Sequence, residues 1–264
     1  MSLFDALSTS ITGVSAQSYA LNNISGNIAN TSTVGFKSIN TSFADMLAET
    51  QQTTDAPGGV SIGKSSTLGI QGIVALSGVP TNLAITGNGY FIVKQGTGTP
   101  EAPSFSSDTA YTRRGDFSPD SNGYLVNGAG YYLFAGPSAT APVEVDVSSA
   151  SALSSLSVSS SGGLTANYAD GSTQSLGSLT VAQFGSQDGL ATLDGSAYVA
   201  TSQSGAPTFG LDGAMISSGS VEQSNSDTAD QFSKMIETQQ AYTANTKVMS
   251  ATNEMLQSAI AMYV

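Results

Sequence analysis

The sequence contains no cysteine and no histidine among its 264 residues. The chain therefore lacks thiol and imidazole groups, which excludes disulfides, cysteine nucleophiles, histidine bases and nearly all zinc or copper sites. The absence of cysteine is compatible with an extracellular location without disulfides. We expect no catalytic residue, no metal and no cofactor.

Charged residues are also scarce, at 10% of the chain, and 19 acidic residues outnumber 7 basic ones to give a net charge of -12. So few basic residues cannot form the patch that nucleic acids and anionic membrane surfaces require. No stretch reaches the roughly 18 consecutive apolar residues of a membrane span. The first 30 residues also lack the basic and apolar regions of a secretory signal peptide, so export would need another route.

The two ends of the chain each predict a long amphipathic helix, because large apolar side chains recur there every seven residues. The repeating residues are Leu7, Val14, Leu21 and Ile28 in the first segment, and Met235, Tyr242, Met249, Leu256 and Tyr263 in the last. Both apolar faces are wider than one partner helix would cover. We therefore expect packing between subunits, with an intramolecular helical stalk as the alternative.

Helix start signals precede both predicted helices, and a stop signal follows the first. Ser2 has the form of a capping-box residue, and Asp227 and Asp230 lie where the positive N-terminus of a helix favours carboxylates. The first helix should end near Asn30, because the Asn, Ser and Thr residues that follow compete for backbone hydrogen bonds.

Residues 79–210 have the pattern of antiparallel β-structure, with frequent turn residues between short apolar runs. The strongest hairpin pattern is Gly87-Asn88-Gly89, between residues 83–85 and residues 90–93. Residues 51–78 are rich in Gly, Ser and Thr and predict an extended connector with a few strand-like pieces.

The sequence thus predicts an α+β fold, in which long N- and C-terminal helices pair as a coiled-coil-like inner domain around an antiparallel all-β module. The predicted segments are 1–50 for the first helix and its following motif, 51–78 for the connector, 79–215 for the β-domain, and 216–264 for the C-terminal helix that pairs with residues 1–30.

Two sequence patterns match functional motifs without their structural context. Residues 58–65 fit the phosphate-binding loop G-x-x-x-x-G-K-[ST], but the flanking residues predict neither the preceding buried strand nor the following helix. Residues 59–63 fit the nucleophile elbow G-x-S-x-G. That motif needs a base to take the serine proton, usually a histidine, and the chain contains no histidine.

Scattered charged residues raise one enzymatic alternative. Asp116 and Asp120 could form a glycosidase carboxylate pair, although turn and surface roles are much commoner for such residues. We expect Arg113 and Arg114 to hold neighbouring segments or subunits together through carboxylates and carbonyls. An extracellular glycan hydrolase is therefore the rival hypothesis to a structural protein.

Three groups of residues match motifs that occur together in one known family. The first group is Asn27, Ala29, Asn30, Thr33, Gly35, Phe36 and Lys37; the second is Gly87, Gly89, Phe91, Tyr111, Arg113 and Gly115; the third comprises residues 221–225 and 239–242. In these motifs the chain resembles the bacterial flagellar axial family, which comprises rod, hook and hook-filament junction proteins. The resemblance covers nearly the whole chain.

The resemblance implies a structural subunit whose terminal helices line a tubular polymer that transmits motor torque. It implies an extracellular place in the flagellar hook or basal body. The implied partners are further copies of the chain, neighbouring rod and hook-filament junction proteins, the hook cap and the flagellar type III export apparatus. Residues 42–47 and 168–174 and the short connector look most like the hook protein, whereas the overall length resembles the distal rod protein, which is the alternative.

Overall fold

A computed structural model describes residues 3–45, 59–97, 104–136, 141–143 and 153–262 of the chain. The described residues form one long helix near each end and antiparallel strands between them, which confirms the predicted α+β class. Ser2 of the predicted cap, Tyr263 of the C-terminal stripe and Gly58 of the phosphate-loop pattern lie outside the described residues.

The helices are α1 (Leu3–Ala29) and α2 (Thr228–Ala261), and a short 3-10 helix spans Gln187–Gly189. The strands are β1 (Ile39–Asp45), β2 (Val60–Ser66), β3 (Val74–Leu76), β4 (Leu83–Thr86), β5 (Phe91–Gln95), β6 (Ala110–Thr112), β7 (Phe117–Pro119), β8 (Leu125–Asn127), β9 (Tyr131–Ala135), β10 (Ala141–Pro142), β11 (Leu153–Val158), β12 (Gly163–Tyr168), β13 (Thr173–Ser178), β14 (Val181–Gln183), β15 (Ala191–Leu193), β16 (Ala197–Val199), β17 (Thr208–Gly210), β18 (Met215–Ser218) and β19 (Ser220–Glu222).

The chain divides into two compact units. The helical unit consists of Met1–Thr31, Ser38–Thr67 and Ser226–Val264, and the β unit consists of Ser32–Lys37 and Leu68–Asn225. Both units are therefore built from segments that are far apart in the sequence.

In the helical unit, α1 and α2 pack against each other in antiparallel directions. The buried residues of α1 are small or polar for the most part: Ser10, Gly13, Ala16, Ala20, Ile24 and Asn27. A Cβ atom on Gly13 would lie 2.9 Å from Nδ2 of Asn245 on α2, so the missing side chain permits the close approach.

The end of α1 and the start of α2 lie close to the predicted residues. α1 ends at Ala29, one residue before the predicted Asn30. Asp227 is the N-cap of α2, and its Oδ1 accepts hydrogen bonds from the amides of Ala229 and Asp230, which confirms its predicted role. Among the described residues, neither helix combines the length and apolar character needed to cross a membrane.

Strands β1 and β2 form a two-stranded ribbon in the helical unit, with seven antiparallel residue pairs from Ile39 opposite Ser66 to Asp45 opposite Val60. The predicted connector thus contains a full strand. Lys64 pairs with Thr41 inside this ribbon, so the strand occupies the place where a phosphate-binding loop would turn into a helix. The nucleotide-site pattern at residues 58–65 therefore has the wrong structural context in its described part.

The main sheet of the β unit has the order β15-β16-β6-β5-β9-β8-β7, with β10 beside β9. A three-stranded sheet, β11-β12-β13, packs its apolar side chains into the same core. Fully buried side chains of this core include Leu83, Phe91, Phe117, Leu125 and Leu164. Strands β3 and β4 pair with β19 and β18, so the end of the β unit returns to its beginning.

The predicted hairpin around Gly87-Asn88-Gly89 is wrong. Strand β4 pairs with β18, whereas β5 pairs with β6 and β9, so the two runs enter different sheets. The glycine turn exists, with φ of 97° at Gly87 and 139° at Gly89. Tyr90 then bridges to Ala182, which directs the chain away from β4. Turn chemistry alone could not reveal this distant partner.

A second, aromatic core lies on the other face of the main sheet and contains Tyr90, Tyr111, Phe184 and Tyr198. The ring of Tyr90 makes edge-to-face contacts with Phe184 and Tyr198, with centroids 6.0 and 5.7 Å apart. Burial, the principal cause, raises the pKa of Tyr90 to about 12, and it raises the pKa of Tyr198 as well.

Tyr90→Phe should reduce the loss of stability at alkaline pH. The unfolded chain releases the tyrosine proton near pH 10 and the folded chain near pH 12, so the unfolded state binds fewer protons in this window and stability falls as pH rises. A shift of this size corresponds to about 3 kcal/mol. Urea unfolding followed by circular dichroism at pH 9 and pH 12 should show a correspondingly smaller loss for the variant. Equal losses in both proteins would contradict the burial of an ionisable Tyr90.

Candidate functional site, a buried charge cluster and exposed helix faces

The carboxylate of Glu222 lies at the centre of a buried charge cluster in the β unit. Its Oε1 accepts hydrogen bonds from Nζ of Lys37 at 2.5 Å and from the amide of Gly72 at 2.8 Å. Its Oε2 accepts from Nη1 of Arg113 at 3.2 Å. The side chains of Glu222, Lys37 and Arg113 are 0, 1 and 3% exposed, so the cluster is shielded from water.

Distant segments of the chain bring these groups together. Lys37 follows the turn after α1, Arg113 follows β6, and Glu222 ends β19. Nζ of Lys37 also donates to the carbonyl of Ile70 at 2.6 Å, and Nη2 of Arg113 donates to the carbonyl of Gly87 at 2.6 Å. These bonds confirm the predicted role of Arg113 in holding neighbouring segments together.

The cluster contains two positive charges and one negative charge. Burial, as the largest cause, lowers the pKa of Lys37; the carboxylate of Glu222 opposes this shift and the charge of Arg113 adds to it. Loss of one partner from a buried ion pair leaves an uncompensated charge and is strongly destabilising. Loss of Glu222 would leave two uncompensated charges, those of Lys37 and Arg113.

Two motif glycines are required by close approaches around the cluster. Gly35 has a φ of 66°, its amide donates to the carbonyl of Glu222 at 2.7 Å, and a Cβ there would lie 2.6 Å from the amide nitrogen of Arg114. Gly115 accepts from the amide of Leu83 at 2.9 Å, and a Cβ on it would overlap the carbonyl oxygen of Leu83. Larger residues at either position would push these segments apart.

Asn27 of the same N-terminal motif has a different partner set, in the helical unit. Its Nδ2 donates to the carbonyl of Ile39 at 2.9 Å and to Oε1 of Gln231 at 3.2 Å, and its Oδ1 accepts from the amide of Ile39 at 2.9 Å. The side chain therefore acts as a hydrogen-bonding partner for the start of β1. This explains why a polar residue is buried at the end of α1.

The other predicted motif residues have local structural positions. Asn30 donates from Nδ2 to the carbonyl of Gly26, and the amide of Phe36 donates to the carbonyl of Thr33. Ala29 is exposed at the end of α1. Phe91 and Tyr111 lie in the two cores of the β unit, and Gly87 and Gly89 form the turn before β5.

The candidate glycosidase carboxylates have other partners. Asp116 forms a two-pronged pair with Arg114, with N to O distances of 2.7 and 2.8 Å. Oδ1 of Asp120 accepts from the amides of Asn122 and Tyr124, as in a turn. The described residues contain no group of three or more acidic side chains placed to hold a metal ion.

The helical unit leaves many large apolar side chains in contact with water. The exposed residues are Phe4 and Ile11 on α1, Phe232, Ile236, Tyr242, Val248, Met255 and Ile260 on α2, and Met262 at the C-cap of α2. Val248, Met255 and Met262 are seven residues apart and are 49, 55 and 84% exposed.

The residues of the predicted stripes are mostly half-buried. Half-buried stripe residues are Leu7, Val14, Leu21, Ile28, Met235, Met249 and Leu256, whereas Tyr242 is exposed. The pair of helices therefore covers only part of the apolar surface that the sequence pattern identified.

Sequence reasoning missed the central position of Glu222. The residue was recognised only as part of the motif at residues 221–225. One feature of the sequence could have indicated this role. Glu222 is a single acidic residue after an apolar one, and its partners Arg113 and Lys37 are two of only 7 basic residues in the chain.

Three family models match separate parts of the chain. A model described as flagella basal body rod protein matches residues 7–37, one described as flagellar hook protein FlgE/F/G D1 domain matches residues 84–166, and one described as flagellar basal body rod FlgEFG protein C-terminal matches residues 217–262. Each matched region contributes one charged residue to the cluster, Lys37, Arg113 and Glu222 respectively.

The chain is similar to known rod proteins over nearly its whole length and to a known hook protein over half of its length. Flagellar basal-body rod protein FlgG of Bacillus subtilis is 31% identical over 97% of both chains, and FlgG of Caulobacter vibrioides is 32% identical over 96% of this chain and 97% of its own length. Flagellar hook protein FlgE of Brucella abortus is 40% identical over 133 residues, which are 50% of this chain and 31% of the hook protein.

Glu222→Gln should destabilise the protein by about 3–5 kcal/mol, because it leaves Lys37 and Arg113 buried without a counter-charge. Lys37→Met should cost less, since the pair of Arg113 and Glu222 remains neutral. The control Asp230→Asn removes an exposed pair with Lys234, in which the side chains are 55 and 42% exposed, and should cost under about 1 kcal/mol. Urea unfolding measures all three variants. A Glu222→Gln cost no larger than that of the control would contradict the role of the cluster.

Proposed function

Because the chain belongs to the flagellar basal-body rod and hook protein family, we propose that it is a hook subunit, which polymerises into a flexible tube and transmits motor torque to the filament. Proteins of this family are structural, so the chain is a structural protein and not an enzyme. The fold contributes rigid parts and contact surfaces in place of a catalytic site.

The exposed apolar side chains of α1 and α2 are the observation that carries this proposal. Burying one such side chain contributes about 1.5–3 kcal/mol. Large exposed apolar patches mark interaction surfaces in soluble proteins. Further copies of the same chain supply matching surfaces, because each copy carries the same heptad stripes.

The predicted stripes and inner domain form part of this proposal. In the assembled tube, the stripes from Leu7 to Ile28 and from Met235 to Tyr263 pack as coiled-coil-like seams between helices. The proposed inner domain of the tube spans residues 1–50 and 216–264, although residues 32–37 and 216–225 belong to the β unit in the single chain. The half-buried state of most stripe residues in one subunit supports such additional contacts.

Two positions in the flagellum are supported by different similarities. The hook position is supported by the higher identity, 40% over half of this chain, to a hook protein. The distal rod position is supported by the rod proteins named FlgG, which match over 97% of their length at 31–32% identity. We propose the hook as the main function and the distal rod as the second candidate.

The remaining proposals follow from either position. The subunit leaves the cell through the flagellar type III export apparatus, assembles beneath the hook cap and contacts neighbouring rod and hook-filament junction proteins. In the hook position the mature subunit is extracellular.

Immunogold labelling of intact basal bodies tests the position. A short epitope inserted next to Gly171, in an exposed turn between β12 and β13, marks the subunit at a site away from the terminal helices. Gold on the curved tube outside the cell supports the hook. Gold on the straight rod within the basal body supports the distal rod and contradicts the main proposal.

Met255→Glu should impair polymerisation, because it places a charge on an exposed apolar position of α2 that the proposal covers in the tube. Loss of one buried methionine raises the critical concentration at least about tenfold, since tenfold corresponds to 1.4 kcal/mol. Gln257→Glu introduces the same charge at an exposed polar position and serves as the control. Sedimentation of assembled tubes measures the effect. Normal assembly of Met255→Glu would contradict the proposed contact surface.

A further inference from the structure

The segments that connect the β unit to the rest of the chain are bonded to one another inside that unit. The chain leaves the β unit after Lys37 and after Asn225, and it re-enters at Leu68. The two exits and the re-entry at Leu68 are therefore each within a few residues of Lys37, Gly72 or Glu222 along the chain.

Side chains join the two exits, at Lys37 and Asn225, to the segment that re-enters the β unit at Leu68. Nζ of Lys37 donates to the carbonyl of Ile70 and to Oε1 of Glu222, and the same Oε1 accepts from the amide of Gly72. Nδ2 of Asn225 donates to the same carbonyl of Ile70 at 3.1 Å. One carbonyl and one carboxylate thus connect the three segments.

Backbone hydrogen bonds reinforce these connections. The amide of Gly35 donates to the carbonyl of Glu222 at 2.7 Å, and the amide of Asn225 donates to the carbonyl of Phe36 at 3.2 Å. The segment before Lys37 and the segment after Glu222 are therefore held together at two positions by the main chain alone.

We propose that Lys37, Glu222 and Asn225, with the carbonyl of Ile70, form an exit clamp that resists force applied to the β unit through its connecting segments. The idea that this force comes from motor torque rests on the proposed function. The resistance to force applied in this direction is a property of the single chain. Lys37, Glu222 and Asn225 act as positioning residues for the three segments.

The structure of the neighbouring strands shows why a clamp is needed at this place. Strand β19 has only three residues, and it pairs with β3, which also has three. Force on the end of β19 would separate such a short pair one hydrogen bond at a time. Because the exit clamp lies between the pulled segments, its ion pair and hydrogen bonds must break together before β19 can leave β3.

Single-molecule stretching of the full chain tests the clamp along two directions. The absence of cysteine allows two introduced cysteines to serve as unique attachment points. Ser32→Cys with Thr228→Cys applies force across the exit clamp, and both positions are exposed. Ser118→Cys with Thr173→Cys, also exposed, stretches residues 118–173, a segment that excludes every residue of the clamp.

Glu222→Gln and Lys37→Met are each placed in both attachment backgrounds. Lys37→Met keeps the test possible if Glu222→Gln fails to fold, because the Arg113 pair stays neutral. Leu164→Ala, which truncates a fully buried core side chain in β12, serves as a destabilised control outside the clamp. The contact between α1 and α2 contributes equally to the unfolding rate of all variants with the same attachment points, so it cancels in the comparison.

Unfolding rates at constant force decide the outcome. In the 32/228 direction the clamp variants should unfold at least about tenfold faster than the unsubstituted chain, and in the 118/173 direction the acceleration should be several times smaller. Leu164→Ala should not show this preference for the 32/228 direction. Equal acceleration of the clamp variants in both directions would overturn the proposal and leave only a general stabilising role.

The labelling of basal bodies is independent of this result, so failure of the clamp and failure of the hook position are distinguishable.

Discussion

The interaction of the Glu222 carboxylate with Lys37 and Arg113 is the constraint on which the rest of the β unit depends. A buried carboxylate is tolerated only when charges and hydrogen bonds compensate it. Here the compensation comes from Lys37 after α1, from Arg113 after β6 and from the amide of Gly72 before β3. Three regions of the chain must therefore meet before any of these charges is neutralised.

This constraint gives a physical meaning to the family motifs. Gly35 is small because the backbone of Arg114 lies against it, and Gly115 is small because it pairs closely with Leu83. Both glycines bring their neighbouring basic residues to Glu222. The helical unit follows a different principle, since Asn27 fixes the start of β1 by hydrogen bonds while much of the apolar surface of both helices stays exposed. A β unit held together by buried charges and a helix pair with exposed apolar surface are the two properties on which the proposed assembly rests.

The helices and the antiparallel β-structure of residues 79–210 could be predicted because their signals are local. The heptad pattern identified α1 and α2, and Asp227 identified the start of α2 through its short side chain. The partner of β4 could not be predicted, because β18 is more than a hundred residues away and no local rule selects it. For β2 the sequence predicts no more than a strand-like piece of the connector, because its Gly- and Ser-rich sequence has weak β propensity, and pairing with β1 overrides this preference.

The face by which α1 meets α2 also escaped sequence reasoning. Apolar periodicity directs attention to large residues such as Leu21, whereas Gly13 makes the close contact with Asn245 because it lacks a side chain, and the small Ala20 is buried. The role of Glu222 was hidden for a similar reason: a buried charge is recognisable only when its partners are known, and Lys37 lies far away in the sequence.

Native-state hydrogen exchange of the full-length protein tests the central position of Glu222 most directly. The amides of Gly35, Gly72 and Asn225 are bonded to Glu222 or to Phe36 beside it, outside the main sheet. If the cluster opens only when the β unit unfolds, these amides should have opening free energies within about 1 kcal/mol of that of the core amide of Tyr90. Exchange at the rate of an exposed loop, while the amide of Tyr90 stays protected, would show that the β unit does not depend on the cluster.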